Sequence, residues 1–541
     1  MANQYTANEL NNMNAKELAF IVLAQQEQIN KLNENFEKLL EQLRIMNNHR
    51  FGRHSEKMNV IDGQLSLFDV FDEAEVLSDP SVPEPELEEV VQSYRRKKQK
   101  GKREADLKGF PVEPFDHNVP AEELDAFYGV GNWKAMPDET YKRLRYEPAS
   151  WTVEEHTVHV YVGIRGDHQD EFLRGKHPKS LIRNSIVTPS LGGAVLNGKF
   201  VNALPINRIC QELERNGVNI SRQTVANWII SFSKYFALVW GRMKEHLLAL
   251  PVIQSDETPT LVLQDGRPAG SKSSMWVYRS SELCRGKPII LYEYQKTKYH
   301  GHVKEFLKGY HGTLVSDGAS QYHLVEKEVP GIINANCWAH ARRDFAEACK
   351  AMGKGNIKAL KQSVAHQALE LIGQFYAEDE KLKNLSAEER LEQRQIKVKP
   401  LVKAYFAWVR EQVSSNTLLP KGKTMDGLNY CLNQERYLML FLEDGNVPID
   451  NSASERAIRP FCVGKKNWLF SNSIKGAQAS AICYSIAESA KANNLKPYEY
   501  FKHLLTELPN RMDDKGNIDT STLDDLMPWA EELPEACYMR R

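Results

Sequence analysis

Three acidic residues stand in sequence contexts that could build a metal site. Asp256 follows a short apolar, β-branched run, and Asp317 follows a similar run that ends at Ser316. Turn residues bound both runs, so both acids are predicted at strand ends. Glu455 opens an apolar-periodic segment that is typical of a helix. Together these three carboxylates could hold two magnesium ions.

A site of this kind supports phosphoryl transfer. Hard divalent cations prefer oxygen ligands, and two of them about 3.5–4 Å apart can activate an attacking oxygen and stabilise the leaving oxygen of an in-line displacement. The same site can cut a nucleic-acid strand with water and then join the freed 3′-hydroxyl to a new strand.

Each acid also has a purely structural interpretation. Asp317 and the glycine after it form a common turn dipeptide, and Asp256 could simply end a strand ahead of Pro259. The S-x-x-E spacing from Ser452 to Glu455 matches the capping box of an ordinary helix start. From spacing alone, both kinds of interpretation stay open.

The segments around these acids resemble, in the same order along the chain, those of the insertion-sequence-66 family of bacterial transposases. The matching segments are FGRHSEK at 51–57, LF at 67–68, 217–228, IQSDETP at 253–259, MWVY at 275–278, DG at 317–318, CWAHARR at 337–343, DNSASERAIRP at 450–460, GKKNWLF at 464–470 and LMPW at 526–529. The resemblance runs from about residue 15 to this last segment, so it covers nearly the whole chain.

The resemblance implies a transposase of the DDE group, with a ribonuclease-H-like catalytic core. Carried over by position, the catalytic and metal-binding acids are Asp256, Asp317 and Glu455, which would hold two Mg²⁺ (or Mn²⁺) ions. Glu257 and Asp450 stay open as substitutes, because the sequence does not show which acids point inward.

The resemblance also implies the partners. The DNA partner would be double-stranded, as terminal inverted repeats and target DNA, and small accessory proteins of the same element are expected. Two other functions stay open from the sequence: a catalytically inactive DNA-binding protein derived from a transposase, and a nuclease without strand transfer.

One departure from the family concerns zinc. Family members usually carry a small N-terminal zinc-binding module with paired cysteines, whereas this chain has no cysteine before Cys210. The segment from 141–148 through 158–161 still resembles the later part of that module, so we expect a degenerate module without structural zinc at residues 111–175.

Composition indicates a multidomain protein. The 541 residues exceed what one hydrophobic core usually serves, and 42% of them are hydrophobic. The sequence has no apolar run of transmembrane length, and its polar start lacks the features of a signal peptide. We therefore expect a cytoplasmic protein that does not contact a membrane, and the resemblance implies a bacterial, nucleoid-associated one.

The eight cysteines are scattered, which argues against a disulfide framework. The single C-x-x-H pair, Cys337 and His340, offers two ligands and would need two more for a zinc site. We expect Cys337 to pack in the core, with His340 and Arg342 near the catalytic face.

The N-terminal part is predicted to mediate self-association. Apolar residues over 18–46 follow a heptad pattern, which favours a coiled-coil dimerisation helix within residues 1–50 and a homodimer or higher oligomer. An amphipathic helix folded onto its own domain is the alternative. Residues 51–110 are predicted to be a charged flexible linker, and its basic run at 95–103 could contact phosphates, although the net charge is only −1.

Residues 176–250 are predicted to be helical and to resemble a helix-turn-helix, with Ser221 capping the second helix. Arg222, Gln223 and Asn227 on that helix would contact DNA. A plain helical hairpin packed on the core is the alternative.

Residues 251–500 are predicted to form the catalytic domain, a mixed sheet flanked by helices, followed by a C-terminal segment at 501–541. The expected elements are strands at 252–255, 275–279, 288–294, 312–316 and 331–334, a helical stretch at 303–307, and a large helical insertion at about 345–442.

Basic residues near the predicted site are further candidates for DNA contact. We expect Trp468 and Phe470 to be mostly packed. The predicted DNA-contacting residues are Arg342, Arg456, Arg459, Lys465 and Lys466. Four basic residues of the insertion could contact DNA or form solvated faces: Arg390, Arg394, Lys397 and Lys399.

Overall fold

The computed structural model describes residues 185–539, apart from 269, 285, 353–356, 416–420 and 514–516. Before residue 185 it describes two short strands, β1 (Val160–Val162) and β2 (Phe172–Arg174). Nine single positions there are also described: 18, 22, 23, 26, 122, 153, 154, 181 and 182. The predicted linker lies outside the described residues, as does the predicted coiled coil except for four helical positions.

Strands β1 and β2 pair antiparallel within a compact unit that spans residues 78–178. The elements that follow belong to a second unit, which includes residues 179–539.

A mixed six-stranded sheet is the centre of the second unit. Its order is β5-β4-β3-β6-β7; β4 is antiparallel to β3 and β5, whereas β3, β6 and β7 are parallel, and β8 pairs with the far end of β3. The strands are β3 (Val252–Gln264), β4 (Lys272–Ser280), β5 (Ile290–Gln295), β6 (Gly312–Ser316), β7 (Ile332–Asn336) and β8 (Ser471–Ser473). The five predicted strands are confirmed as β3 to β7.

Strand β3 differs from its prediction in length. We expected it to end at Ser255, but it continues to Gln264 because β4 pairs with it from Ile253 to Leu261. The antiparallel partner satisfies the backbone beyond the point where the parallel pairing with β6 stops at Gln254. Asp256 therefore lies inside a strand, and its prediction as a strand-end residue was wrong.

Fifteen α-helices are found in the described part of this unit. They are α1 (Pro189–Leu196), α2 (Ile206–Arg215), α3 (Arg222–Leu248), α4 (His300–Phe306), α5 (Ser320–Glu328), α6 (Trp338–Met352), α7 (Ile357–Gln362), α8 (Val364–Glu380), α9 (Ala387–Gln393), α10 (Lys399–Ser414), α11 (Lys423–Asn433), α12 (Glu435–Leu438), α13 (Ser452–Trp468), α14 (Ile474–Ala492) and α15 (Pro497–Asn510). The fold is thus mixed α/β. None of the helices in the described ranges is both long and apolar enough to cross a membrane.

Two hydrophobic cores cover the two faces of the sheet. Successive residues of a strand point to opposite faces, and accordingly Ile253 and Leu314 belong to one core while their neighbours Val252 and Val315 belong to the other. The first core contains residues of α3, α13, α14 and α15, and the second contains residues of α6, α8, α10 and α11.

Helix α14 covers the edge strand β5. The Ser489 hydroxyl accepts a hydrogen bond from the Ile290 N–H (3.0 Å) and donates one to the Ile290 carbonyl (2.9 Å). The Ser485 hydroxyl accepts from the Tyr292 N–H at 2.7 Å. An unpaired strand edge is a site of aggregation, so these two serines close the sheet on this side.

The helices that were predicted at about 345–442 are present, and the helical region begins with α6 directly after β7. Two basic residues of this region, Arg390 and Arg394, are buried. The predictions that they contact DNA or form solvated faces were therefore wrong. Arg394 is fully buried, pairs with Asp379 at 2.6 Å and donates to the Phe441 and Val447 carbonyls. Arg390 is 2% exposed and donates to the Gly445 carbonyl at 2.5 Å. Both hold the turn that leads to α13.

Candidate active site

The structure places Glu455 and Asp317 near enough to Asp256 for their charges to raise its pKa. In the parallel pair of β3 and β6, Gln254 lies opposite Val315. Continuing this register by two residues places Asp256 level with Asp317, the first residue after β6. Helix α13 packs across β3 and β4, with Glu455 in its first turn.

Asn451, just before α13, fixes the position of that helix. Its side-chain amide donates to the Ser255 carbonyl at 2.7 Å, and its side-chain oxygen accepts from Gln254 Nε2 at 3.2 Å. Its backbone N–H donates to Cys337 Sγ at 3.0 Å. Because Ser255 precedes Asp256, one buried asparagine ties the helix carrying Glu455 to the strand carrying Asp256.

The capping-box interpretation of Glu455 was wrong. Ser452 is the first residue of α13 rather than its cap, and its buried hydroxyl has no hydrogen-bond partner among the described residues. The side chain of Glu455 points elsewhere, which leaves its carboxylate available for other contacts.

The turn interpretation of Asp317 describes its local geometry correctly. Oδ1 of Asp317 accepts a hydrogen bond from the Ala319 N–H at 2.9 Å, and the Tyr430 hydroxyl donates to the Asp317 carbonyl at 3.1 Å. Gly318 has φ +82°, and a Cβ there would lie 2.7 Å from the Asn336 side-chain amide. Glycine is therefore required for this turn. The turn uses only one carboxylate oxygen, so Asp317 can serve both roles.

The two substitute acids are engaged by other groups. The side chain of Glu257 is 3% exposed and accepts hydrogen bonds from Lys298 (2.8 Å), Gln321 (2.9 Å) and Tyr322 (2.7 Å). Asp450 accepts from the Tyr376 hydroxyl at 3.0 Å and from the backbone N–H of residue 452 at 2.9 Å. Because Glu257 and Asp450 are engaged in this way, the contacts favour Asp256, Asp317 and Glu455 as the candidate metal ligands.

The site carries more negative charge than its surroundings neutralise. Burial raises the pKa of Asp256 well above its usual value, and the charges of Glu257, Glu455 and Asp317 raise it further. Burial likewise raises the pKa of Glu455, against the opposing charge of Arg343. A cluster of oxygen ligands that repel one another fits a hard divalent cation such as Mg²⁺ or Mn²⁺.

Next to Glu455 lies the C-x-x-H pair. As predicted, Cys337 is fully buried, and His340 lies beside the acids. Cys337 Sγ, a nitrogen of His340 and an oxygen of Glu455 all lie within 4.8 Å of one another. Arg343, which the sequence analysis did not select, donates from Nη2 to His340 Nε2 at 2.8 Å. Its position, one helical turn after His340, was the signal that could have identified it.

The helix-turn-helix-like region has the expected elements. Gly217, at φ +82°, lies in the turn between α2 and α3, and Ser221 caps α3 by accepting from the Thr224 N–H. The predicted DNA-contacting residues Arg222, Gln223 and Asn227 are all exposed at the start of α3. Helix α3 has 27 residues, and its other face is buried in the first core. Both a DNA-contacting helix and a plain hairpin are compatible with this packing.

The other predicted DNA contacts differ in exposure. Lys466 is exposed, whereas Arg342 and Arg459 are half-buried. Arg456 forms a surface ion pair with Glu282 at 2.9 Å, and Lys465 donates to a backbone carbonyl of β3 at 2.6 Å.

The two aromatic residues at the end of α13 were only partly predicted. Trp468 is half-buried and packs against Lys199, whose ammonium lies 3.7 Å from the ring centroid. Phe470 is 43% exposed, so its prediction as a packed residue was wrong. The preceding Leu469 has φ +66°, which ends the helix and turns the chain before Phe470 can join the core.

Comparison with known proteins gives three family matches. The model described as "Transposase IS66 family" matches residues 184–479, and "IS66 C-terminal element" matches residues 485–529. "Transposase C of IS166 homeodomain" matches residues 38–114, a range that includes the predicted linker.

Two similar proteins come from Sinorhizobium fredii (strain NBRC 101917 / NGR234). The uncharacterized protein y4qI is 27% identical over 67% of this chain and 66% of its own length. The uncharacterized protein y4hP is 26% identical over 63% of this chain and 62% of its own length. The chain thus spans slightly less than two thirds of these relatives.

Proposed function

Because this chain belongs to the IS66 family of transposases, we propose that it cleaves DNA and joins 3′-hydroxyl ends to target DNA at a site formed by Asp256, Asp317 and Glu455. The observation that carries the proposal is the convergence of one acid from β3, one from the end of β6 and one from α13. Under this proposal the chain is an active transposase of the DDE type.

Asp256 and Asp317 would share the cations, and Glu455 would complete the coordination of the second one. Two bound Mg²⁺ or Mn²⁺ ions would supply activation of the attacking oxygen and stabilisation of the leaving oxygen. The protein's own contribution is to hold the three carboxylates at fixed positions, through the register of β3 with β6 and through Asn451.

The sheet supports a ribonuclease-H-like assignment of the catalytic domain at residues 251–500. The supporting observation is a mixed sheet in which three antiparallel strands are followed by two parallel ones, in the order β5-β4-β3-β6-β7, with helices on both faces. The helices between β7 and α13 would then be an insertion into that core.

Double-stranded DNA is the proposed partner, as terminal repeats and as target. The homeodomain-like match at residues 38–114 is one candidate DNA-binding region, and the start of α3 is a second. Lys466 and Arg459, on the helix that carries Glu455, would contact backbone phosphates near the acids. We also propose an N-terminal coiled coil that pairs two copies, accessory proteins of the same element, and action on the bacterial chromosome in the cytoplasm.

A cleavage and joining assay tests this function. The wild-type chain, together with the accessory proteins encoded by its element, should cut and join duplexes that carry the element's ends when Mg²⁺ is added. Glu455→Gln should abolish both reactions while DNA binding is retained. Asp450→Asn is the matched control, and it should keep both reactions.

The remaining outcomes separate the alternatives. Full activity of Glu455→Gln would show that another acid is used. Cleavage without joining by the wild-type chain would indicate a nuclease, and end binding without any cleavage would indicate an inactive descendant of a transposase.

A further inference from the structure

Leu469 and Phe470 form an exposed apolar tip at the end of α13. Leu469 is 68% exposed and Phe470 is 43% exposed. Leu263, 48% exposed, lies beside them, because the preceding residue of β3 pairs with Ser471, which follows Phe470. Single exposed apolar residues are common on protein surfaces, whereas neighbouring ones mark an interaction site.

The backbone at Leu469 holds this tip in solvent at an energetic cost. Its φ of +66° and ψ of −41° form a combination that leucine rarely adopts. The Leu469 N–H donates to the Lys465 carbonyl at 2.7 Å, and the Phe470 N–H donates to the Trp468 carbonyl at 2.8 Å. Glycine would adopt the same backbone without strain. Neither burial nor a relaxed backbone favours leucine at this position, which points to a role other than folding.

The base of the tip is well packed. The Lys199 ammonium lies 3.7 Å from the centroid of the Trp468 ring, and Lys199 is only 8% exposed. Contacts of this kind between a cation and an aromatic ring are attractive. The Asn467 side-chain amide donates to the Ala203 carbonyl at 2.8 Å. The end of α13 is thus fixed against the segment that follows α1, and the tip projects from a fixed base.

The surface around the tip is basic. Residues 456–487 contain five lysines and arginines and no aspartate or glutamate. Lys466 and Lys475, which precede and follow the tip in the chain, are exposed. The one acid in the turn after β3, Asp265, is buried and paired with Arg267. Lysine is depleted at protein–protein interfaces, whereas it neutralises phosphates in complexes with DNA, so these charges favour a nucleic acid as the occupant.

The tip lies in line with the proposed cleavage site. Arg459 and Lys466 follow Glu455 by four and eleven residues, so the three share one face of α13. Leu469 follows Glu455 by 14 residues, which at about 1.5 Å per residue is about 21 Å along the helix. Base pairs of B-DNA are about 3.4 Å apart. A duplex held along this face, with a phosphate at Glu455, therefore reaches the tip about six base pairs from that phosphate.

We propose that Leu469 and Phe470 act as an apolar wedge, which enters the uncut end of the element between two base pairs, about six base pairs from the cleaved phosphate. This inference rests on the proposed function, which places that phosphate at the acids. Apolar side chains inserted in this way partly unstack a base step and kink the duplex. Pyrimidine–purine steps such as TA kink most easily, so the wedge favours ends that carry such a step at this position.

Fluorescence of 2-aminopurine tests the wedge, because this base is quenched while it is stacked. We would place it at one position at a time in a duplex of the element's end. The wild-type chain would saturate the duplex in the absence of divalent metal, so that no strand is cut. The fluorescence should rise on binding at positions about five to seven base pairs from the cleavage site. Leu469→Ser/Phe470→Ser should lose this rise at concentrations at which anisotropy shows that the duplex is bound.

Two further variants separate the wedge from folding. Leu324→Ser/Ile396→Ser removes apolar side chains that are 39% and 61% exposed elsewhere on the surface, and it should keep the rise. Leu469→Gly should unfold at the same or a higher temperature than the wild type, because glycine adopts the positive φ without strain, and yet it should reduce the rise. Retained stability together with lost distortion is not expected of a residue whose role is structural.

Two results would overturn the inference. One is an equal fluorescence rise with the wild type and with Leu469→Ser/Phe470→Ser, and the other is a rise confined to the base pairs at the cut. A serine variant that distorts DNA normally but loses self-association or the binding of an accessory protein would make the tip a protein interface instead. If the wild type distorted the end but never cleaved it with Mg²⁺, the proposed function would fail and the wedge would stand. A wild type that bound no DNA would overturn both.

Discussion

At the scale of single residues, the site combines acids that repel one another with donors that hold them in place. Asp256, Asp317 and Glu455 come from three separate elements, and the pKa of Asp256 rises through burial and through the charges of the other acids. This repulsion lowers the stability of the metal-free protein and favours the binding of a cation.

This arrangement predicts that Asp256→Asn stabilises the metal-free protein. A carboxyl group whose pKa is raised on folding binds more protons in the folded than in the unfolded state, so its contribution lowers stability as the pH rises above the usual Asp pKa. Removing the charge should raise the free energy of unfolding near neutral pH, by an amount on the order of 1 kcal/mol. The gain should vanish at a pH below the usual Asp pKa.

Thermal unfolding with and without Mn²⁺ checks this prediction. The wild type should gain stability when Mn²⁺ is added, and Asp256→Asn should not. Glu443→Gln, at an exposed acid, is the control and should behave as the wild type does. A metal-free Asp256→Asn protein that is less stable than the wild type at neutral pH would contradict the account.

The sequence predicts the contacts of a residue well when its partners are adjacent in the chain, and poorly when they are distant. The turn at Asp317 and the cap at Ser221 were predictable because adjacent residues form them. The burial of Arg390 and Arg394 was not, since each also donates to a carbonyl about 50 positions away in the chain, Gly445 for Arg390 and Phe441 for Arg394. His340 was expected near the acids from its place after β7, but its contact with Arg343 requires the geometry of α6.

At the scale of elements, the helix that carries Glu455, α13, contacts α14 closely at Gly464. A Cβ at Gly464 would lie 2.2 Å from the Tyr484 hydroxyl and 2.3 Å from the Trp468 ring. We predict that Gly464→Ala destabilises the protein by about 1–3 kcal/mol, because the Tyr484 and Trp468 side chains must move from their packed positions.

A second helical glycine provides the control. A Cβ at Gly241, within α3, would meet nothing within 4 Å. Gly241→Ala should therefore stabilise the protein by up to about 1 kcal/mol, since alanine favours a helix more than glycine does. Denaturant unfolding of both variants makes the comparison, and similar effects of the same sign would show that the predicted crowding at Gly464 is wrong.

The turn before α13 depends on the buried arginines of the insertion. Replacing Arg394 by Met would leave Asp379 as an unpaired buried charge and would remove donors from the Phe441 and Val447 carbonyls. We predict a loss of about 3–5 kcal/mol in the free energy of unfolding.

Arg410→Met is the matched control. Arg410 is 54% exposed and pairs with Glu435, so its replacement should cost about 0–1 kcal/mol. If calorimetric unfolding showed equal losses for the two variants, the turn before α13 would not depend on Arg394 as described.

The elements themselves were largely predictable. Short apolar, β-branched runs bounded by turn residues predicted the starts of β3 and β6, and the amphipathic pattern predicted the helices between β7 and α13. The sequence did not predict the length of β3, because its second half is held by β4 and β8 rather than by its own residues. Nor did it predict that the serines of α14 close the edge of β5.

At the scale of the whole described unit, one sheet separates two cores, and the acids lie where elements from both cores meet. Helix α13 contributes to the first core, while the segment that precedes it is held by the helices of the second. The helices between β7 and α13 thus help to position Glu455.

A metal titration tests the central claim, that three distant acids form one cation site. We would titrate Mn²⁺ calorimetrically into the wild-type chain with a short duplex of terminal DNA, and into the Asp256→Ala/Asp317→Ala double variant. The matched control is Asp426→Ala/Glu443→Ala, at two exposed acids. The account predicts binding by the wild type and the control and its loss in the double variant. Equal binding by all three folded proteins would contradict it.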